Sequence, residues 1–199
     1  MSSPTPIALA TLAGVVLCWI FFACVFLLRK RPPRAPDAKG DRSASLGIFL
    51  QMCGYFLVFF QPPHRPFLPP VAALSGIAGV VFAVITVGIA AGSGWLIESA
   101  VRTLGKQWAM RARLVEGHRL ITAGPFARIR NPIYTGMLGM LVATGLAMEH
   151  WIALIVAVII FLIGMAIRIR SEEKLLRAEF GEAFEEYARR VPAMIPGVY

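Results

Sequence analysis

The chain has 199 residues, of which 57% are hydrophobic and 16% charged, with a mean hydropathy of +0.68. A soluble domain of this size has too little polar material to cover so much apolar surface, so water-soluble enzymes and binding modules are excluded. A net charge of +9 would suit nucleic acid, but the basic residues border apolar stretches instead of building an aromatic-interleaved soluble domain, so anionic lipid headgroups are the expected partner.

In chain order, Ile7 to Leu28 carries no charge and exceeds the roughly 20 residues that cross a hydrocarbon core as a helix. Its charges follow the apolar run and no small-residue cleavage site is evident, so it is expected to be a retained anchor, not a signal peptide. Arg29 to Arg42, with Pro32, Pro33 and Pro36, is expected to be an extended cytoplasmic linker. Ala44 to Phe60 and Phe67 to Ile97 are the second and third uncharged stretches, joined by the proline-rich Gln61 to Pro70. Gly76, Gly88 and Gly92 on the third stretch suggest a face along which neighbouring helices approach closely. Ile133 to Met148 and Trp151 to Ile167 complete a count of five spans, and the brief Met148-Glu149-His150 connection implies an antiparallel hairpin.

Beyond Ile167, Leu176, Phe180, Phe184 and Tyr187 recur every three or four residues among Glu and Arg, the pattern of one amphipathic helix that Gly181 weakens without stopping. Its balanced charge suits a cytoplasmic lid over another part of the protein better than a helix lying on an anionic membrane. The fold class is therefore all-α: a polytopic membrane protein with about five transmembrane helices and a C-terminal cytoplasmic amphipathic helix. Residues 1-43 form an N-terminal anchor and basic linker, 44-116 a helical membrane core, and 117-199 the part that carries chemistry.

Nineteen of the twenty Lys and Arg residues lie in Arg29 to Arg42, Glu98 to Arg130 and Arg168 to Tyr199, leaving only Arg65 elsewhere. Five spans put those three segments on one face, which the positive-inside rule makes cytoplasmic, with the N-terminus outside. A bacterial inner membrane is the expected location. Cys18, Cys24 and Cys53 all fall in spans, with no metal-ligand spacing and no disulfide framework, so neither metal nor disulfide is expected.

The residues suited to chemistry sit where the chain enters and leaves the membrane. Asn131 before Pro132 reads as a helix start, with Asn capping and Pro at the first position; the same helix terminus beside Arg130 is also an anion site. Gly117-His118 and Gly124-Pro125 punctuate a turn whose backbone groups are open to a ligand edge. Taken singly, His118 reads as a solvated loop residue, Tyr134 as an interfacial aromatic, Arg168 and Arg170 as snorkelling cations, and Glu172 and Glu173 as solvated acids. Helical spacing changes the weighting, because Arg168, Glu172 and Glu173 project within one or two turns toward different neighbours.

GHRLITAGPFARIRNPIYTG followed by RIRSEEKLLRAEFGEAFEEYARRVPAMIP resembles the isoprenylcysteine carboxyl methyltransferase and phospholipid methyltransferase superfamily of integral membrane enzymes. The resemblance implies S-adenosylmethionine bound at the cytoplasmic face, S-adenosylhomocysteine as product, and a lipophilic acceptor entering from the bilayer. It implies cofactor positions at His118, Leu120, Ile121, Thr122, Gly124, Arg130, Asn131, Tyr134 and Glu172, and it matches Arg168 and Glu173 to the pair near the acceptor. Arg-Asn-Pro at 130–132 stands where prenylcysteine enzymes usually read Arg-His-Pro, and Phe126 stands where Tyr is frequent. An isoprenylcysteine-type carboxylate is the leading acceptor, a phosphatidylethanolamine-type amine the alternative, and a non-catalytic scaffold or transporter the lowest-ranked reading.

Overall fold

The structure is a computed structural model that describes residues 5–28, 42–60, 76–105, 119–148 and 151–194. Among them all regular structure is helical: α1 Pro6–Leu27, α2 Arg42–Phe59, α3 Gly76–Leu104, a 3-10 turn Gly124–Ala127, α4 Pro132–Met148, α5 Trp151–Phe180 and α6 Glu182–Arg190. The linker after Leu28, the connection around Pro62 to Pro70, Gly117, His118, Glu149 and His150 lie outside the described residues.

α1, α3 and α5, with 22, 29 and 30 residues, are long and apolar enough to cross a membrane, while α2 and α4 are shorter apolar helices. At 1.5 Å per residue the 17 residues of α4 reach only about 26 Å, close to the thickness of a hydrocarbon core. Together with the exposed Leu, Ile, Val and Phe that cover the outward faces of α1, α2, α3 and α5, this marks an integral membrane protein.

Contacts fix the helix directions. A side chain at Gly14 would meet Val87 and one at Gly94 would meet Phe21, so α1 and α3 run parallel; Gly136 faces Ile97 and Gly139 faces Ser93, so α3 and α4 are antiparallel. Gly145 packs on Leu154 while Tyr134 reaches Glu172, making α4 and α5 an antiparallel pair, and Gly47 lies on Gly164 while Gly54 lies on Ala157, which opposes α2 to α5. The five helices therefore alternate in direction. The end of α1, the start of α2, the end of α3, the start of α4 and the polar half of α5 all share one end of the bundle, where Arg102, Arg130, Arg168, Arg170 and Arg177 lie among the described residues.

α4 is the shared wall of two cores. Val15, Val25, Ala90, Ile97, Val101, Met140 and Ala143 join α1, α3 and α4, whereas Tyr55, Val58, Leu141, Ala157, Phe161 and Met165 join α2, α4 and α5. Trp19 ties the two, donating to Thr144 Oγ1 at 2.9 Å and meeting the Tyr55 ring edge-on at 5.2 Å. Lipid is as apolar as a core side chain, so close packing and interhelical hydrogen bonds must hold such helices together.

Two expectations are corrected. Gly88 and Gly92 face open space, and Gly76 takes φ +63° with nothing near it. The close approaches use glycines of other helices: a Cβ at Gly164 would stand 2.7 Å from Gly47 O, and one at Gly136 would stand 2.9 Å from Ser93 O. Spacing within one helix cannot tell which face a neighbour will take. Gly181, expected only to weaken a continuous helix, ends α5 by adopting φ +52°, a region costly for residues with a Cβ, and α6 starts afresh after it.

Candidate functional site

α5 continues as a helix well past its apolar run, and this carries Arg168, Glu172, Glu173 and Arg177 along the start of α4. The chain before α4 supplies Arg130, Asn131 and Tyr134. Because α4 and α5 are antiparallel neighbours, residues about 40 apart in sequence meet at the basic end of the bundle.

Glu172 and Glu173 turn to different partners. Glu172 Oε1 accepts a short hydrogen bond from Tyr134 Oη and lies 3.7 Å from Arg168 Nη2. The Arg168 guanidinium stacks 4.6 Å above the centroid of the Tyr134 ring, and its Nη1 donates to Gln51 Oε1 of α2 at 2.9 Å. Tyr134 is 5% exposed and Arg168 8%, so the phenol is no interfacial belt residue and the arginine does not snorkel; both turn into the bundle, while Arg170 stays exposed. Glu173 instead receives Arg130 Nη2 at 3.0 Å on Oε1 and Arg177 Nη2 at 3.2 Å on Oε2.

Arg130 has a second task. Its Nη1 donates to Ala188 O at 2.5 Å and to Val191 O at 2.8 Å, and its backbone N–H to Pro192 O at 2.9 Å. Asn131 donates to Ala193 O through both its backbone N–H and Nδ2, at 3.1 and 3.0 Å, and Thr135 Oγ1 donates to Met194 O at 3.2 Å. The chain leaving α6, Val191 to Met194, is thereby strapped across the start of α4. The Asn131 amide, expected as a helix cap, donates its Nδ2 hydrogen to this strap.

α6 closes the end. Arg177 Nε bridges to Glu185 Oε1 at 2.7 Å and its guanidinium lies 5.3 Å over the Phe184 ring; Phe184 and Tyr187 face inward. Tyr187 Oη donates to Phe126 O at 2.7 Å, and burial pushes that hydroxyl up to about 12. The 3-10 turn packs in turn on α3, since a Cβ at Gly124, φ +60°, would stand 2.8 Å from Thr103 Oγ1. Leu120, Ile121 and Thr122 lie just before this turn, and among the described residues they make no hydrogen bond.

The structure thus brings together Arg130, Asn131, Tyr134, Arg168, Glu172 and Glu173, and ties the turn carrying Leu120, Ile121, Thr122 and Gly124 to the same end through Phe126 and Tyr187. His118 lies outside the described residues. Arg177, Glu185 and the strap are not marked by the sequence, and Gln51 is left there without a role. Gln51 left one signal, a strongly polar side chain inside an uncharged span. The strap's contribution is backbone carbonyl groups, which no side-chain pattern records. No group of three potential metal ligands occurs among the described residues.

Comparison with known proteins matches residues 78–183 to the phospholipid methyltransferase family, from the start of α3 through the polar helix and into α6. The chain belongs to the phospholipid methyltransferase family. Relatives similar to it include protein-S-isoprenylcysteine O-methyltransferase B of Arabidopsis thaliana, 33% identical over 52% of this chain and 53% of that protein. The protein-S-isoprenylcysteine O-methyltransferase of Schizosaccharomyces pombe is 26% identical over 51% of this chain and 44% of that protein. The nickel-cobalt-cadmium resistance protein NccN of Alcaligenes xylosoxydans xylosoxydans is 31% identical over 57% of this chain and 50% of that protein. The chain spans about half the length of these curated relatives. The strap, Val191 to Met194, and both N-terminal helices, the second of which carries Gln51, lie outside the family match.

Proposed function

We propose that this family member transfers a methyl group from S-adenosylmethionine to a lipophilic acceptor at the basic, cytoplasmic end of a bundle crossing the membrane five times. The observation that carries the reading is the meeting of Arg130, Tyr134, Arg168, Glu172 and Glu173, drawn from two segments about 40 residues apart.

The residues present fit a charged nucleoside. The Leu120 to Gly124 backbone offers donors and acceptors to an adenosine edge, with His118 just before it. Glu172, 27% exposed at its side chain, accepts hydrogen bonds from ribose hydroxyls or an amino group, held in place by Tyr134. When bound, S-adenosylmethionine supplies an electrophilic methyl carbon and leaves as S-adenosylhomocysteine. Arg168 orients the acceptor headgroup while its hydrocarbon chain stays in the bilayer. Glu173 has both oxygens taken by Arg130 and Arg177, and it contributes by holding the strap over the site. A carboxylate acceptor needs no base, whereas an ammonium must first lose a proton. The protein's main contribution is bringing together reactants from water and lipid, and in ideal geometry such positioning lowers a barrier by as much as ~7–11 kcal/mol.

An isoprenylcysteine-type carboxylate is the acceptor favoured by the names of the Arabidopsis and yeast relatives; the matched family's description favours a phospholipid amine as the second reading. Calorimetric titration of S-adenosylhomocysteine into nanodisc-reconstituted protein tests the reading: saturable heat supports it, and no heat from well-folded protein ends it. Labelled S-adenosylmethionine with a prenylated cysteine or with phosphatidylethanolamine then separates the two acceptors by product.

A further inference from the structure

Gln51 is completely shielded, at 0% exposure, on the inner stripe of α2 formed by Ala44, Gly47, Gln51, Gly54, Tyr55 and Val58. Gly47 and Gly164 let α2 press so close to α5 that the Gln51 side chain spans the gap to Arg168. A guanidinium only donates, so the amide oxygen must face Arg168 and the amide nitrogen must point elsewhere. That nitrogen, Nε2, has no hydrogen-bond partner among the described residues. Buried amide donors are nearly always paired, and inside a membrane bundle no bulk water makes up the loss.

Resting on the methyl-transfer reading, we propose that Gln51 is a specificity residue: its Oε1 holds Arg168 in place while its Nε2 donates to an oxyanion of the acceptor headgroup. Two donor groups, Arg168 and Gln51 Nε2, select oxygen over ammonium at this point. The oxygen belongs either to the carboxylate of a prenylated cysteine or to the phosphate of a phospholipid; both present the same chemistry to an N–H donor. Glu172 and Tyr134, on the other side of Arg168, stay with the cofactor part of the site.

The test uses the full chain in nanodiscs with 15N-labelled glutamine. The sequence has three glutamines, Gln51, Gln61 and Gln107, and the Gln51 side-chain signal is identified by its loss in Gln51→Met. Addition of an S-prenylated cysteine, or separately of phosphatidylethanolamine in the disc, should shift that signal, and the probe that shifts it identifies the oxyanion. In turnover, Gln51→Glu keeps an oxygen for Arg168 but removes the donor, so acceptor KM should rise at least tenfold with S-adenosylhomocysteine affinity unchanged. Gln51→Met should raise it similarly. Because the Gln51→Glu carboxylate also repels an oxyanion, the shift of the Gln51 side-chain signal, and not KM alone, separates direct donation from merely holding Arg168. An unshifted signal with both probes, or a KM within twofold of wild type in both variants, overturns the proposal while normal S-adenosylhomocysteine binding leaves the methyl-transfer reading standing. Loss of that binding in the unaltered protein instead removes the reading itself.

Discussion

Two charged clusters lie one residue apart on α5 yet differ in kind. Around Glu173, the Arg130 guanidinium meets a carboxylate and two backbone carbonyls, and Arg177 closes the other carboxylate oxygen and reaches Glu185. Around Glu172, the groups are a phenol, a stacked guanidinium and a glutamine amide with an idle nitrogen. The first cluster spends its hydrogen bonds on the chain itself, which is what holding a strap requires. The second keeps capacity in reserve, which is what a binding site requires. Adjacent glutamates divide this way because consecutive positions on a helix point about 100° apart.

The sharpest way to break this contrast is Arg130→Ala. It leaves Glu173 short of a partner and frees the strap, and breaking such a sheltered pair should cost about 3–5 kcal/mol, seen as a marked fall in unfolding temperature in detergent. If stability holds and only turnover falls, the clamp assignment is wrong. Arg168→Ala should do the opposite, lowering turnover about 100-fold to 1,000-fold, as loss of one charge-stabilising donor does, with a smaller change in unfolding temperature than Arg130→Ala produces. Gly164→Ala probes the floor of the second cluster: a methyl 2.7 Å from Gly47 O forces α2 off α5, at about 1–3 kcal/mol. Gly88→Ala, on an open face, should change stability by less than about 1 kcal/mol, and equal effects at the two glycines would contradict the helix directions. A local effect is expected from Tyr187→Phe, which removes the tie to Phe126 O at about 0.5–1.5 kcal/mol and should be detected as faster hydrogen exchange in the turn before α4.

Much of the architecture was legible in the linear chain. The five apolar stretches became five helices, although α3 runs on past Ile97 to Leu104 and α5 past Ile167 to Phe180, and sorting Lys and Arg by segment anticipated the basic end of the bundle. Arg130, Tyr134, Arg168, Glu172 and Glu173 were also readable, because they sit at the edges of apolar runs where charge is tolerated. The pairing of those residues was not readable. Arg168 looked like a cation that would snorkel and Tyr134 like a belt aromatic; only the antiparallel neighbour turns both inward and stacks one on the other.

Composition and charge placement determined by themselves that this protein is helical, embedded in a membrane and polar at one end, since burial in lipid forces every backbone group into a helix and pushes charge to the boundary. The tertiary structure decided which glycines are contacts, where the polar helix breaks, which glutamate clamps and which remains in the candidate site, and that Gln51 joins from a helix outside the family match. Those outcomes depend on which faces of different helices meet, and the periodicity of a single helix carries no information about its neighbour.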